Sequence, residues 1–250
     1  MFKFLFLISI ISNMFLMAKS YALLIGTNVN GLSVAKIDVK NMQEILNQHK
    51  ISNIKILEDE NATKNNILYN FKSIVHRVKR GDWVYFFFSG HGTSENAPDI
   101  DSKLKNRLKD TGAIMSYDDK YIIVKEDLHK YFEELDNKNV HLVIILDTCF
   151  SGNSYKDFSL SSNIDDKPLK FLSKFTQKEK FPYKHLIFMS ATTSNDYAVE
   201  KGKEGSYFTL ALKECLKDNT KLLSLKGCIN KKSLPQTPVF LPEKNISIFP

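Results

Sequence analysis

Two residues in this chain stand where chemistry can be done. His91 lies between two glycines at the end of the run VYFFFSGHG, and Cys149 lies in VIILDTCFSG, 58 residues later. Each follows a block of consecutive apolar residues, the pattern of a strand buried on both faces. A lone histidine after a strand is ordinarily a surface hydrogen-bonding group, and a lone cysteine a small core hydrophobe. At equivalent ends of two parallel core strands, however, both project from the same sheet edge, and that makes a nucleophile and its base. A free thiol has a pKa of about 8.5, and a neighbouring imidazole can lower it by several units to give a thiolate that attacks a carbonyl. Gly90 and Gly92 let the backbone turn tightly and approach a substrate with no Cβ in the way. The backbone N–H groups of Gly92 and Cys149 are then candidates for the oxyanion hole, a contact worth roughly 3 kcal/mol per donor.

For the two residues to meet, the elements around them must form a parallel sheet, and the rest of the chain reads that way. YALLIGTN, NIKILEDE, WVYFFFSGHG, HLVIILDTCFSG and HLIFMSATTSNDYAVE are strand-like, and amphipathic stretches separate the first four. Ser33 is placed to cap a helix running to about Gln48, with Ala35, Val39, Met42 and Leu46 on one stripe. Thr63 is placed to cap a second, with Ile67, Phe71, Ile74, Val75 and Val78 facing one way. A third covers about Glu126 to Leu135, and SYFTLALKECL is a fourth. Strands alternating with helices imply an α/β fold, a mostly parallel sheet covered on both faces. Thr93 to Asp110 reads as a polar loop, and the prolines of QTPVFLPE favour an edge strand or strap. The segment 153–184, rich in Ser, Asp and Lys, is too long for a routine connection and reads as a mobile loop.

Composition narrows the classes. With 43% hydrophobic and 25% charged residues in 250, the chain is an ordinary globular protein, read as one domain over 21–250. Residues 1–20, MFKFLFLISIISNMFLMAKS, have a basic start, an apolar run and small residues at Ala18 and Ser20, the pattern of a cleavable signal peptide. The expectation is therefore an exported protein, periplasmic or extracellular, with no stable membrane insertion once the signal is removed. Removing Lys3 and Lys19 leaves 33 basic against 28 acidic side chains, or +5. The surplus is spread along the chain, so a solvated basic surface is expected and nucleic acid is not.

The paired motifs resemble those of the caspase-like cysteine peptidases, the group of caspases, metacaspases and their bacterial relatives. DTCFSG is closer to the metacaspase pattern Asp-x-Cys-x-Ser-Gly than to that of true caspases, because the glutamine before and the arginine after the cysteine are missing. YALLIGTN resembles the family's first strand, SATTSNDYAVE its post-catalytic strand and loop, and GSYFTLAL its closing helix, so the likeness runs from Tyr21 to about Pro238. It implies a three-layer α/β/α sandwich and a cysteine endopeptidase with Cys149 as nucleophile and His91 as base. Metacaspase-like members prefer Arg or Lys at P1, which they bind through carboxylates. Asp147, Asp38 and Ser89 match the family's S1 positions, with Asp196 a further candidate. Two carboxylates in a cleft would take a guanidinium or ammonium by charge-assisted hydrogen bonds. The bland alternatives are that Asp147 caps a local turn and Asp38 favours its helix N-terminus. Self-cleavage in the lysine-rich 153–184 segment fits a basic preference. The rival functions are a caspase-fold interaction module without proteolysis, and a thiol acyl-transferase or transpeptidase.

No cofactor is expected. His49, His76, His129, His141 and His185 have no metal-ligand spacing, and the three cysteines form no CxxC. The acids of APDIDSK and SYDD lack an EF-hand pattern, so a calcium dependence like that of some metacaspases has no motif behind it. Cys215 shares a stripe with Phe208, Ala211 and Leu212 and reads as a core thiol. A Cys215–Cys228 disulfide is possible in an oxidising compartment, and spacing does not decide it.

Overall fold

Each of the five strand-like runs becomes a strand of one sheet. The computed structural model describes residues 18–98, 100–149 and 181–250. β1 (Ser20–Gly26), β2 (Asn53–Glu58), β3 (Trp83–Ser89), β7 (His141–Asp147) and β8 (Leu186–Ser190) pair in parallel, and β9 (Val239–Leu241) closes the β8 edge antiparallel; the order is β2-β1-β3-β7-β8-β9. The strand expected in QTPVFLPE is thus β9.

Alternation along the strands explains why they are apolar throughout. In β1, Ala22 and Leu24 face one cluster while Leu23 and Ile25 face the other; in β3, Tyr85 and Phe87 face the first and Val84, Phe86 and Phe88 the second. The first cluster is closed by α1 (Ala35–Gln48), α5 (Tyr207–Cys215) and α6 (Leu222–Asn230), and the second by α2 (Lys64–Arg77) and α4 (His129–Asn137). A sheet covered on both sides gives the strands no polar face, which is the three-layer α/β sandwich.

Local differences from expectation have plain causes. Ser33 does not cap α1; the Ala35 N–H donates to Asn28 Oδ1 at 2.9 Å, and the Ser33 N–H donates to Glu200. Thr63 does cap α2, accepting from the Asn66 N–H. The stretch read as a polar loop holds β4 (Gly92–Ser94) and α3 (Ser102–Arg107), capped by Asp101; with β5 (Gly112–Met115) and β6 (Tyr121–Ile123), β4 makes a small antiparallel sheet. A π-helical turn, Val124–Leu128, precedes α4, which begins later than the periodicity suggests. α6 was not foreseen. β1 starts at Ser20, and the Lys19 N–H donates to Asp82 Oδ1 at 2.8 Å, so the two residues before the expected cleavage point take part in the fold. Among the described residues no helix is long and apolar enough to cross a membrane. Most of the expected signal peptide, and residues 153–180 of the long segment, lie outside the described residues.

Candidate active site

The β3–β7 register brings the two chemical residues to one place. Ser89 stands opposite Asp147, and the Gly90 N–H extends the ladder to the Asp147 carbonyl at 3.3 Å. His91 and Cys149 each follow that last pair by two residues, at the carboxyl edge of the sheet. β1 lies between β2 and β3, so the chain reverses its direction of winding between β1 and β3, where ligands of such sheets bind. The loop after β1 also reaches the site, since the Val29 carbonyl is 3.1 Å from His91 Nε2. A carbonyl can only accept, so Nε2 carries the proton and Nδ1 is left as the basic nitrogen.

Gly92 has a different task from the one expected. A Cβ there would lie 2.7 Å from the Cys149 carbonyl oxygen and would also strike Thr148 Oγ1. The missing side chain therefore lets the two strand exits pack against each other, rather than clearing space for substrate. The Met115 N–H donates to the His91 carbonyl, and Gly92 pairs with Ile114 in the next position of the same antiparallel ladder. Hydrogen-bonded and non-hydrogen-bonded pairs alternate in such a ladder, so the Gly92 N–H points away from β5 and is available.

Cys149 is half-buried and is the free cysteine among the described residues. Burial pushes its thiol up; the Ala198 backbone N–H pulls it down, and the carboxylates of Asp147 and Asp196 push it up. This upward push opposes the thiolate expected from a neighbouring imidazole.

At the same edge of the sheet two carboxylates are buried together. Asp38 is fully buried and Asp147 is 3% exposed. Asp38 accepts from Ser89 Oγ on Oδ2 and from the Ser206 N–H on Oδ1, both at 2.8 Å. Asp147 accepts on Oδ2 from Ser206 Oγ, from Thr209 Oγ1 at 2.6 Å and from the Thr209 N–H at 3.1 Å. Burial, and then the charge of Asp147, push Asp38 up to about 7, against the pull of its donors. Asp147 is also raised by burial, against the donors from Ser206 and Thr209. Asp147 therefore caps a helix rather than a local turn, and the helix is α5, about 60 residues away. Asp196 makes no hydrogen bond to the pair; its Oδ1 accepts from the neighbouring Tyr197 N–H, and its charge reaches Cys149. Val29, Ser206, Thr209 and Ala198 were not singled out from sequence. Ser206 carried the one available signal, a serine three residues before a helical threonine at a helix start.

Among the described residues no group of three or more His, Cys, Asp or Glu is placed to hold a metal ion. Asp101 caps α3, and Asp118 accepts from the Lys64 N–H and Ser116 Oγ. The family model for the caspase domain matches residues 19–233. The chain belongs to the caspase-domain family. Within it, the chain is 30% identical to metacaspase-1 of Plasmodium falciparum over 62% of its own length and 28% of that protein's. It is 33% identical to metacaspase-2 of Trypanosoma brucei brucei over 53% of its length and 41% of the relative's. For metacaspase III c of Phaeodactylum tricornutum the figures are 29%, 62% and 52%. This caspase-domain chain thus spans about a quarter to a half of the curated relatives it matches. A solved structure from Geobacter sulfurreducens superposes with a TM-score of 0.62 at 16% identity, covering 89% of this chain and 92% of the other, which shows the shared fold.

Proposed function

We propose that this caspase-domain protein is an exported cysteine endopeptidase that cleaves after Arg or Lys. The observation that supports the reading is the Ser89–Asp147 register: His91 and Cys149 each follow it by two residues at one edge of the sheet, and Asp147 is itself half of a buried carboxylate pair. In the reaction, His91 Nδ1 takes the thiol proton as Cys149 Sγ attacks the scissile carbonyl. The Gly92 and Cys149 N–H groups hold the oxyanion. The imidazolium then protonates the leaving amine, and water hydrolyses the thioester with His91 again as base. Asp38, Asp147 and Ser89 form the floor of S1, with Asp196 at its side. Burial is the largest push on the thiol, and a cation in S1 would offset the smaller part that comes from Asp147 and Asp196, so a basic P1 residue favours the nucleophile as well as the fit. The substrate is a protein or peptide, and the lysine-rich segment 153–184 is proposed as a site of self-cleavage. Export is supported by the Cys215–Cys228 disulfide, which suits an oxidising compartment.

The test is hydrolysis of peptides that differ only at P1 by the purified protein, beside a Cys149→Ala variant. Arg and Lys peptides should be cut and the variant should be inert; a preference for Asp would sink the S1 assignment. Ligated product on adding an amine nucleophile would favour a transpeptidase. A biological effect that survives Cys149→Ala would favour an interaction module.

A further inference from the structure

The carboxylate pair is asymmetric at the level of single oxygens. Both oxygens of Asp38 are occupied by donors. Asp147 gathers three donors on Oδ2, all from the start of α5, while its Oδ1 is buried with no partner among the described residues. Leaving a buried carboxylate oxygen empty is costly, and three donors on the other oxygen could not be arranged more effectively to fix the side chain's rotation. Among the described residues no lysine or arginine acts on either carboxylate. The nearby charges are committed elsewhere: Lys213 of α5 to Glu44 of α1 at 2.7 Å, Lys201 to Glu204 at 3.6 Å, and Glu200 to the Ser33 N–H. Among the described residues, Cys149 is the further titratable group that interacts with the pair, through the charge of Asp147.

We infer that Thr209 is a specificity-determining positioning residue: with Ser206 it pins Asp147 Oδ2 to the N-terminus of α5, so that Oδ1 is the atom presented to the P1 cation. The inference rests on the basic-P1 reading and assigns the atom and the residue that make it work. Thr209 is fully buried. It acts through Asp147 by two routes, its N–H and its hydroxyl. Both favour the ionised carboxylate, and both hold its plane in the orientation that keeps Oδ1 open. Without the hydroxyl, the carboxylate is freer to turn Oδ1 onto a protein donor and holds its proton more tightly. Each effect weakens a cation and leaves an uncharged P1 residue indifferent.

The test measures binding of a tetrapeptide amide with P1 Arg, Lys or norleucine to the full chain carrying Cys149→Ala, between about pH 5.5 and 8.5. Adding Thr209→Val should weaken the basic peptides on the order of tenfold, the loss of one hydrogen bond to a charged group, and leave the norleucine peptide unchanged. The pH at which the basic peptides bind half-maximally should move upward, and Thr209→Ser should restore both. A basic preference that Thr209→Val leaves intact would overturn the inference while the P1 reading stood. No basic preference in the parent would remove both. If Thr209→Val lowers the melting temperature too far to measure, Ser206→Ala, which removes one donor from the same oxygen, must weaken the basic peptides selectively or the inference falls.

Discussion

Asp82 and Asp147 are buried aspartates at opposite ends of the same two strands. Asp82 precedes β3 at the amino edge of the sheet, and Asp147 ends β7 at the carboxyl edge. Both of Asp82's oxygens accept backbone N–H groups, from Lys19 at 2.8 Å and Lys79 at 2.9 Å. Asp147 has more donors, and all of them fall on one oxygen. A carboxylate with both oxygens satisfied ties chain segments together and has nothing left to offer a ligand. One with an oxygen left open in a buried site holds a cost that only a ligand relieves. Burial is nearly the same for the two, so the distribution of donors is what separates the aspartate that ties chain segments together from the one proposed to meet P1.

The sharpest way to break this comparison is to neutralise each in turn. Asp147→Asn should raise KM for Arg and Lys peptides by on the order of a hundredfold, the loss of a buried charge pair, with the fold retained. Asp82→Asn should cost about 2 kcal/mol of stability in a denaturant titration and leave the P1 preference as it was. Equal effects on P1 preference would erase the distinction.

The Cys215–Cys228 disulfide joins α5 to α6, at the end of α5 remote from Ser206 and Thr209. Reducing it should lower stability by about 2 to 3 kcal/mol, as expected for a short closed loop, with P1 preference unchanged. Loss of preference on reduction would mean that α5 does not hold Asp147 from its N-terminus alone.

The pH dependence of stability tests the carboxylate pair itself. Asp38 titrates near 7 in the fold, against 3.8 ordinarily, so the folded protein keeps a proton that the unfolded chain has already lost. That contribution is complete below about pH 4 and is lost as the pH rises toward 7, at most a few kcal/mol. The melting temperature of the free protein should therefore fall from about pH 5 to 7.5, and Asp38→Asn should flatten the slope. A basic peptide should bind more tightly over the same range, because the pair gives up its proton to receive the cation. A flat profile in the parent protein would show that the pair is ionised when empty.

Much of the fold was legible before any coordinates. Strands such as VYFFF and HLVIIL read as buried on both faces because a sheet between two helical layers has no polar side. The stripe of Ile67, Phe71, Ile74 and Val75 likewise marks the buried face of α2. Short elements were harder: β4 and α3 are three and six residues long, too short for a period to register, and tertiary contacts hold them. Ser33 looked like a cap because its type suits one, but Asn28 lies in the turn that brings an acceptor to the Ala35 N–H.

By itself the sequence determined the parallel α/β architecture, the two strand exits carrying His91 and Cys149, and the presence of carboxylates near them. These follow from local periodicity and from where apolar runs stop. Only the tertiary structure decided the contact between His91 and the Val29 carbonyl, the Cys215–Cys228 pairing, the packing of Gly92 against Cys149, and which oxygen of Asp147 is left open. Each of these is a distance or direction between groups far apart in the chain, and hydrogen bonds are too short and directional to be inferred from residue type.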